Sequence, residues 1–250
     1  MLQIAKYCAS GNDFVIFHTL HGAERSELAK VLCDRQRGIG ADGLIVLLPH
    51  ETYDFEWEFY NADGSTASMC GNGSRACAHY AHRFGLAHSE MEFLTGAGVI
   101  KASVEGDMVQ SDLTPPYVVN DEIVEYDMRW WLIDTGVPHL VTFDADMERF
   151  DIDMARELRH KYNANVNIAS VQSNGAIHVR TYERGVEDET LACGTGMAAC
   201  FYRASIESLV ADRARVYPKS GETLYLGLDE GVITFKGEVQ GVFETTWRFL

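Results

Sequence analysis

Cys70-Gly71-Asn72-Gly73-Ser74-Arg75-Ala76-Cys77-Ala78-His79-Tyr80-Ala81 and Cys193-Gly194-Thr195-Gly196-Met197-Ala198-Ala199-Cys200-Phe201-Tyr202-Arg203-Ala204 are one phrase written twice. Each is Cys-Gly-x-Gly followed by a helix-forming stretch, with a second Cys seven residues after the first and an Ala four further on. The offset, 193 minus 70 or 123 residues, is close to half of the 250-residue chain. A repeat at that spacing predicts a duplicated unit, each copy bringing one thiol to the start of one helix. Two thiols facing each other across a two-fold axis suit a reaction that removes a proton from one face of a carbon and adds one to the other.

Outward from the two motifs, further echoes fall in the same order. Ser10-Gly11-Asn12-Asp13-Phe14 is matched by Thr135-Gly136-Val137-Pro138-His139, and Gly40-Ala41-Asp42-Gly43 by Asn165-Val166-Asn167-Ile168. Phe59-Tyr60-Asn61-Ala62-Asp63-Gly64 precedes the first Cys as Thr181-Tyr182-Glu183-Arg184-Gly185 precedes the second. Helix-period spacing predicts helices over 25–36 and 154–162, with Ser26 near the start of the first and Asp151 or Asp153 as cap of the second. The Cys-led pair is predicted over roughly 71–84 and 194–208. Period-two alternation in Phe55-Glu56-Trp57-Glu58-Phe59 and in Ile177-His178-Val179-Arg180 predicts half-buried strands. Short strands broken at Glu105-Gly106-Asp107, Lys219-Ser220-Gly221 and Asp229-Glu230-Gly231 fill most of the rest. Pro115-Pro116 marks a boundary between the halves.

Composition bounds the function classes. Hydrophobic content of 46% and charged content of 23% fit an ordinary globular protein. A net charge of −16 argues against nucleic acid as a partner. The start, Met1-Leu2-Gln3-Ile4-Ala5-Lys6, has no apolar core of a secretory signal, and the run Leu44–Leu48 is too short for a membrane span, so a cytoplasmic protein is expected. Six cysteines without a Cys-x-x-Cys pair are expected to be thiols rather than disulfides or zinc ligands. Cys8, Cys33, Cys77 and Cys200 read as packing residues. His79 and His82, three apart, hint at a metal face, but no metal is expected.

A Gly-rich turn entering a helix leaves backbone N–H groups aimed outward at the positive end of the dipole. Gly71, Gly73, Gly194 and Gly196 remove the Cβ atoms that would shield those amides, so each turn suits a carboxylate and favours a thiolate on the leading Cys. A carboxylate held there would have its α-carbon between two sulfurs, and the same amides would stabilise charge arriving as the α-proton leaves. Three other readings fit parts of the pattern. A dinucleotide fingerprint matches Gly-x-Gly-x-x-Ala, but no parallel strand precedes either motif. A single catalytic Cys of hydrolase type leaves the second motif unexplained. A non-catalytic duplicated binding module would use the glycines as tight turns only.

The chain resembles the diaminopimelate epimerases, cofactor-independent amino-acid epimerases of lysine and peptidoglycan-precursor synthesis. The resemblance runs over nearly the whole length: Gly11-Asn12-Asp13-Phe14, Gly38-Ile39-Gly40-Ala41-Asp42-Gly43-Leu44, Asn61-Ala62-Asp63-Gly64-Ser65, Met69-Cys70-Gly71-Asn72-Gly73, Pro138-His139, Asn165-Val166-Asn167, and Tyr182-Glu183-Arg184-Gly185 leading to Ala192-Cys193-Gly194-Thr195-Gly196. Proline racemases and hydroxyproline epimerases share the fold and a Cys pair, and are the alternative enzyme class. They usually carry His where Asn72 stands.

The resemblance implies an α/β (α+β) fold of two pseudo-symmetric domains, each a mostly antiparallel curled sheet around a central helix, with the active site in the cleft between them. The halves are expected at 1–115 and 116–237, the first completed by a C-terminal strand at about 238–250. Cys70 and Cys193 are the implied catalytic pair, and His139 and Glu183 the groups that tune the thiols. Substrate contacts fall on Asn12, Asn61, Gly71, Asn72, Asn167, Glu183, Arg184, Gly194 and Thr195. No cofactor is implied, and the partners are a small-molecule substrate and a second copy in a homodimer. Chemically, Arg184 offers a planar fork to a far carboxylate, the asparagines donate and accept with one side chain, and His139 could take a proton from a thiol or, as imidazolium, stabilise a thiolate. This chain departs from the family at Gly43, where many members have Gln, at Val137, where many have Asn, and at Phe243, where the dimer contact uses Tyr. The first two bear on selectivity for the far end of the substrate.

Overall fold

The computed structural model describes residues 1–248; positions 249 and 250, the end of the expected completing strand, lie outside them. Two compact units divide the chain: residues 1–111 together with the chain from 237 onward, and residues 112–236.

The first unit runs β1 (Leu2–Ala9), β2 (Asn12–His18), α1 (Ser26–Cys33), β3 (Gly43–Leu48), β4 (Phe55–Asn61), α2 (Gly71–Arg83), β5 (Glu90–Thr95), β6 (Gly98–Glu105) and β7 (Met108–Asp112). From β1 to β6 the successive pairings are antiparallel, parallel, antiparallel, parallel and antiparallel. The second unit runs β8 (Tyr117–Glu125), β9 (Met128–Asp134), β10 (Pro138–Phe143), α3 (Ile152–Tyr162), β11 (Asn165–Val171), β12 (Ile177–Glu183), β13 (Asp188–Thr190), α4 (Gly194–Ile206), β14 (Arg213–Tyr217) and β15 (Leu224–Asp229). From β9 to β15, with β13 set aside beside β12, the same signs recur in the same order. Parallel neighbours need a crossover, and each parallel step here carries a helix, α1 and α2 in one unit and α3 and α4 in the other. The repeat seen in the sequence is a repeat of topology. The last strand, β16 (Val232–Trp247), pairs with β15 through residues 232–236 and with β1 through residues 239–247.

Each sheet is covered on both faces. All six residues of β3 are buried, which is why Leu44–Leu48 reads as a continuous apolar run rather than an alternation. Ile45 and Leu47 face Ala76, Cys77, Ala78 and Ala81 of α2, whereas Leu44 and Val46 face Ala29 and Leu32 of α1. Residues 71–81 of α2 are buried throughout, and small side chains on that helix let the strands close around it. In the second unit Val166 and Ile168 of β11 face Met154, Ala155 and Leu158 of α3. By strand alternation Asn165 and Asn167 lie on the other face, the one that packs on α4.

Local chemistry sets the helix ends. Asp151 caps α3 by accepting from the Met154 amide at 2.8 Å. The expected extension of α1 to Gln36 is not made. Its chain turns out at Asp34, whose carboxylate takes the amides of Gln36 and Arg37 at 2.8 and 2.7 Å. Cys33, Cys77 and Cys200 are buried as expected, but Cys8, next to the last residue of β1, is only half-buried.

Candidate functional site

Cys70 is the N-cap of α2, with extended backbone, and its Sγ accepts from the Gly73 amide at 3.4 Å. A sulfur in that position takes the place of a capping oxygen, and the amide and the dipole both favour its anionic form. The first helical bond runs from the Ser74 amide to the Cys70 carbonyl, so helix geometry leaves the amides of Gly71 and Asn72 without an intrahelical acceptor. Gly73 is confined: a Cβ there would lie 3.3 Å from the Cys70 Cβ and from Ile45.

The Asn72 carboxamide, itself buried, donates to Asn12 Oδ1 at 2.7 Å. Behind it, Arg75 donates to Asn72 Oδ1 at 2.7 Å and to Ser10 Oγ at 2.6 Å. Asn12 in turn donates to Asp42 Oδ2 at 3.1 Å. Asp42 is bracketed by Asp13 and Arg35: its carboxylate also accepts from the Asp13 amide at 3.1 Å and from Arg35 at 2.8 Å. Burial alone would raise the Asp13 carboxyl, but hydrogen bonds and charge from Arg35 and Lys6 outweigh it and hold it at about 2. Lys6 also donates to the Gly40 carbonyl. Asn61, half-buried at the end of β4, donates to Ser65 Oγ at 2.9 Å, and the next residue's amide donates to the Asp42 carbonyl at 3.0 Å. Gly43 has no room for a side chain. A Cβ there would meet the Tyr60 carbonyl at 2.9 Å and the Phe59 ring at 3.0 Å, so the phenyl ring occupies the space a longer residue would need.

The second unit repeats the cap with different supports. Cys193 is the N-cap of α4, 7% exposed, with Sγ 3.6 Å from Thr195 Oγ1. The Thr195 carbonyl accepts from Thr135 Oγ1 at 3.1 Å, which pins the turn to the end of β9. Under Gly196 lies Asn167, fully buried, whose carboxamide donates to the Leu140 carbonyl at 3.1 Å and accepts from Thr181 at 2.8 Å. The Asn167 nitrogen is also 3.2 Å from His139 Nδ1. Burial, with the Arg184 charge adding, pushes His139 down to about 3, so its imidazole is neutral near pH 7. A ring held neutral that far down supplies no positive charge to a thiolate and is too weak a base to take a thiol's proton near pH 7.

Arg184 is half-buried. Its amide donates to Asn165 Oδ1 at 2.7 Å, and its guanidinium to the Asn163 carbonyl at 2.9 Å, where Asn163 ends α3 in the left-handed conformation. Glu183 is the half-buried last residue of β12. Of the residues expected from the sequence, Asn12, Cys70, Gly71 and Asn72 are joined directly, and Asn61 lies one step away through Asp42. His139 and Asn167 cluster beneath the Cys193–Gly194–Thr195 turn. Reasoning from the motifs missed Asn165, which links His139 to Arg184, and Asp42 and Arg75. Asn165 was legible in principle, since residues two apart on a strand share a face.

His79 is buried and His82 exposed, so the pair makes no metal face; His79 Nε2 lies 3.6 Å from Asp107. Among the described residues no group of three or more His, Cys, Asp or Glu is placed to hold a metal ion. Among them, too, no helix is long and apolar enough to cross a membrane.

The family model described as diaminopimelate epimerase matches residues 4–119 and 131–240. A diaminopimelate epimerase of Nitratiruptor sp. is 62% identical over 98% of both chains. One of Campylobacter lari is 55% identical over 99% of this chain and 100% of that one. Among solved structures, a probable proline racemase from Agrobacterium radiobacter superposes with a TM-score of 0.76 at 15% identity, covering 99% of this chain and 93% of the other. A phenazine biosynthesis protein of the PhzF family from Bacillus anthracis gives 0.74 at 16% identity over 98% of both chains. At those identities the structures share the fold and no more.

Proposed function

The chain belongs to the diaminopimelate epimerase family, and on that premise we propose that it interconverts LL- and meso-2,6-diaminopimelate with Cys70 and Cys193 as its two bases. It is an isomerase of lysine and peptidoglycan-precursor synthesis. The observation that carries the two-base reading is that both cysteines of the repeat are N-caps, each at the head of a buried helix.

In one direction a thiolate takes the α-proton, and the electron pair of the broken C–H bond flows into the α-carboxylate. The amides of Gly71, Asn72, Gly194 and Thr195 receive that charge. The other sulfur, as a thiol, delivers its proton to the opposite face of the α-carbon. Thiol and thiolate have then exchanged places, and the reverse reaction restores them. Arg184 takes the far carboxylate, Glu183 an ammonium group, and Asn12, Asn61 and Asn167 complete or support the polar lining. His139, held neutral, tunes the Cys193 side indirectly, through its contact with Asn167, rather than by taking a proton. No cofactor enters the scheme, since oriented amides do the work of an electron sink.

The substrate is a small molecule. On this reading the enzyme is cytoplasmic and homodimeric, and Val242 and Phe243 on β16, each nearly half exposed, are apolar surface that pairing would cover. The proline-racemase alternative shares the fold, but Arg184 has no counter-charge to meet on a monocarboxylic amino acid.

Turnover in D2O tests the reading. Early product carries deuterium at the inverted centre while recovered substrate carries none; equal early labelling of both would indicate a single base. Cys70→Ser and Cys193→Ser each lower turnover by orders of magnitude, and a near-normal rate in either removes that residue from the mechanism. Faster racemisation of proline than epimerisation of diaminopimelate would favour the alternative.

A further inference from the structure

The two asparagines beside Cys70 are held in one orientation by the groups at the ends of their chain. Arg75 donates to Asn72 Oδ1, Asn72 donates to Asn12 Oδ1, and Asn12 donates to Asp42 Oδ2, at 2.7, 2.7 and 3.1 Å. A guanidinium has no acceptor and an ionised carboxylate has no donor, so the chain has a donor-only end and an acceptor-only end. Turning either carboxamide over would set N–H against N–H or oxygen against oxygen. Each amide nitrogen has two hydrogens and spends one along the chain. Asn72 and Asn12 therefore each retain one N–H donor in a fixed direction.

The acceptor-only end is built as a hub. One Asp42 oxygen takes both the Asn12 side chain and the Asp13 amide, and the other takes Arg35. The Asp42 carbonyl takes the amide of Ala62, beside Asn61. Asp13 is bonded in both directions, its Oδ1 accepting from the Asp42 amide at 2.9 Å, and Arg35 donates to Asp13 as well. Asp42 thus holds the segments that carry Asn12 and Asn61.

We propose that Asp42 is a positioning residue of the epimerase site: its Oδ2 fixes the carboxamide of Asn12, and through it that of Asn72, so that their remaining N–H donors present to an anionic group of the substrate. This rests on the reading of the site given above. What matters is where the acceptor oxygen sits, not the charge it carries. An alternative role, in which Asp42 only anchors Arg35, makes the opposite demand.

Two substitutions separate these roles. In Asp42→Asn the two donors, Asn12 and the Asp13 amide, draw the carboxamide oxygen to their side, and the amide nitrogen turns toward Arg35, an exposed side chain that can swing away; the acceptor stays and the charge is lost. Asp42→Glu keeps the charge but moves the oxygens by one methylene. Steady-state epimerisation of diaminopimelate should show KM raised about tenfold in Asp42→Glu, the scale of one lost oriented hydrogen bond, with kcat changed less. Asp42→Asn should stay within about threefold of the parent in KM. Arg35→Gln should resemble Asp42→Asn. The reverse order, Asn worse than Glu with Arg35→Gln as damaging as either, overturns the proposal, as does an unchanged KM in both Asp42 variants. Solvent α-proton exchange by the parent protein is measured first. Its absence on diaminopimelate overturns the site reading and the positioning role together, whereas exchange in the parent with the wrong variant order overturns the positioning role alone.

Discussion

The carboxamide oxygen of Asn167 lies 2.4 Å from the point where a side chain at Gly196 would begin. That oxygen cannot withdraw easily, because it accepts from Thr181 and its amide nitrogen is committed to the Leu140 carbonyl. Gly196→Ala should therefore force the turn below Cys193 apart, at about 1–3 kcal/mol, the usual cost of overpacking a filled interior. Urea unfolding measures it. Gly73→Ala, whose nearest contacts are 3.3 Å, should cost less stability and act through displacement of Cys70. Equal stability losses at the two glycines would contradict this account.

Protonation of His139 sets a pH dependence of stability. The folded protein holds the ring neutral down to about 3, against an ordinary value of 6.5. Between those values the unfolded chain binds the extra proton. Stability is therefore complete above the unfolded value and declines as pH falls toward the folded one, by at most about 1.4 kcal/mol per pH unit. His139→Gln should flatten that decline between about pH 6.5 and 4.5, read from denaturant midpoints. Parallel slopes in the two proteins would remove His139 as their source.

Arg75 is 0% exposed on the first turns of α2, a buried cation paid for with hydrogen bonds to Ser10, Asn72 and the Glu238 carbonyl. Arg75→Met leaves the Asn72 and Ser10 oxygens without their donor. A loss of about 3 kcal/mol or more is expected in urea unfolding, since two buried acceptors lose their donor. A loss below about 1 kcal/mol would mean that the network is not held from this end.

Thiol reactivity should divide by position. Burial pushes the Cys33 thiol up to about 12, and those of Cys77 and Cys200 well above their ordinary value. In the folded protein at neutral pH these three should resist iodoacetamide, because the thiolate is the nucleophile. Peptide mass spectrometry after brief native labelling checks it. Modification of Cys77 or Cys200 at the rate seen in urea would show that α2 and α4 open far more readily than their packing implies.

Much of this was written in the sequence, and the reasons are local. The bounds of α2 and α4 were readable because a Cys-Gly-x-Gly turn both caps a helix and announces it, and Asp151 signalled α3 in the same way. The strands at Phe55 and Ile177 declared themselves by alternation. Residues whose roles come from distant partners stayed hidden. Asp42 looked like one more polar residue in a glycine-rich turn, since its bonds to Asn12 span 30 positions. The neutrality of His139 needed the burial that only the packed β10 and β11 provide. The end of α1 was misjudged because Asp34 competes for amides that a longer helix would have used. Gly43 showed a departure from relatives, but the ring of Phe59 filling its space could be seen only in three dimensions.

β1 is flanked by β2 on one side and by residues 239–247 of β16 on the other. On the ribosome, β1 therefore waits with one naked edge until residues 239–247 have been made. The intervening unit, 112–236, is continuous and has no such delay, so a nascent chain completes its later half before its earlier one. Any stall in translation between them leaves an open hydrogen-bonding edge for chaperones, or for another unfinished copy, to find.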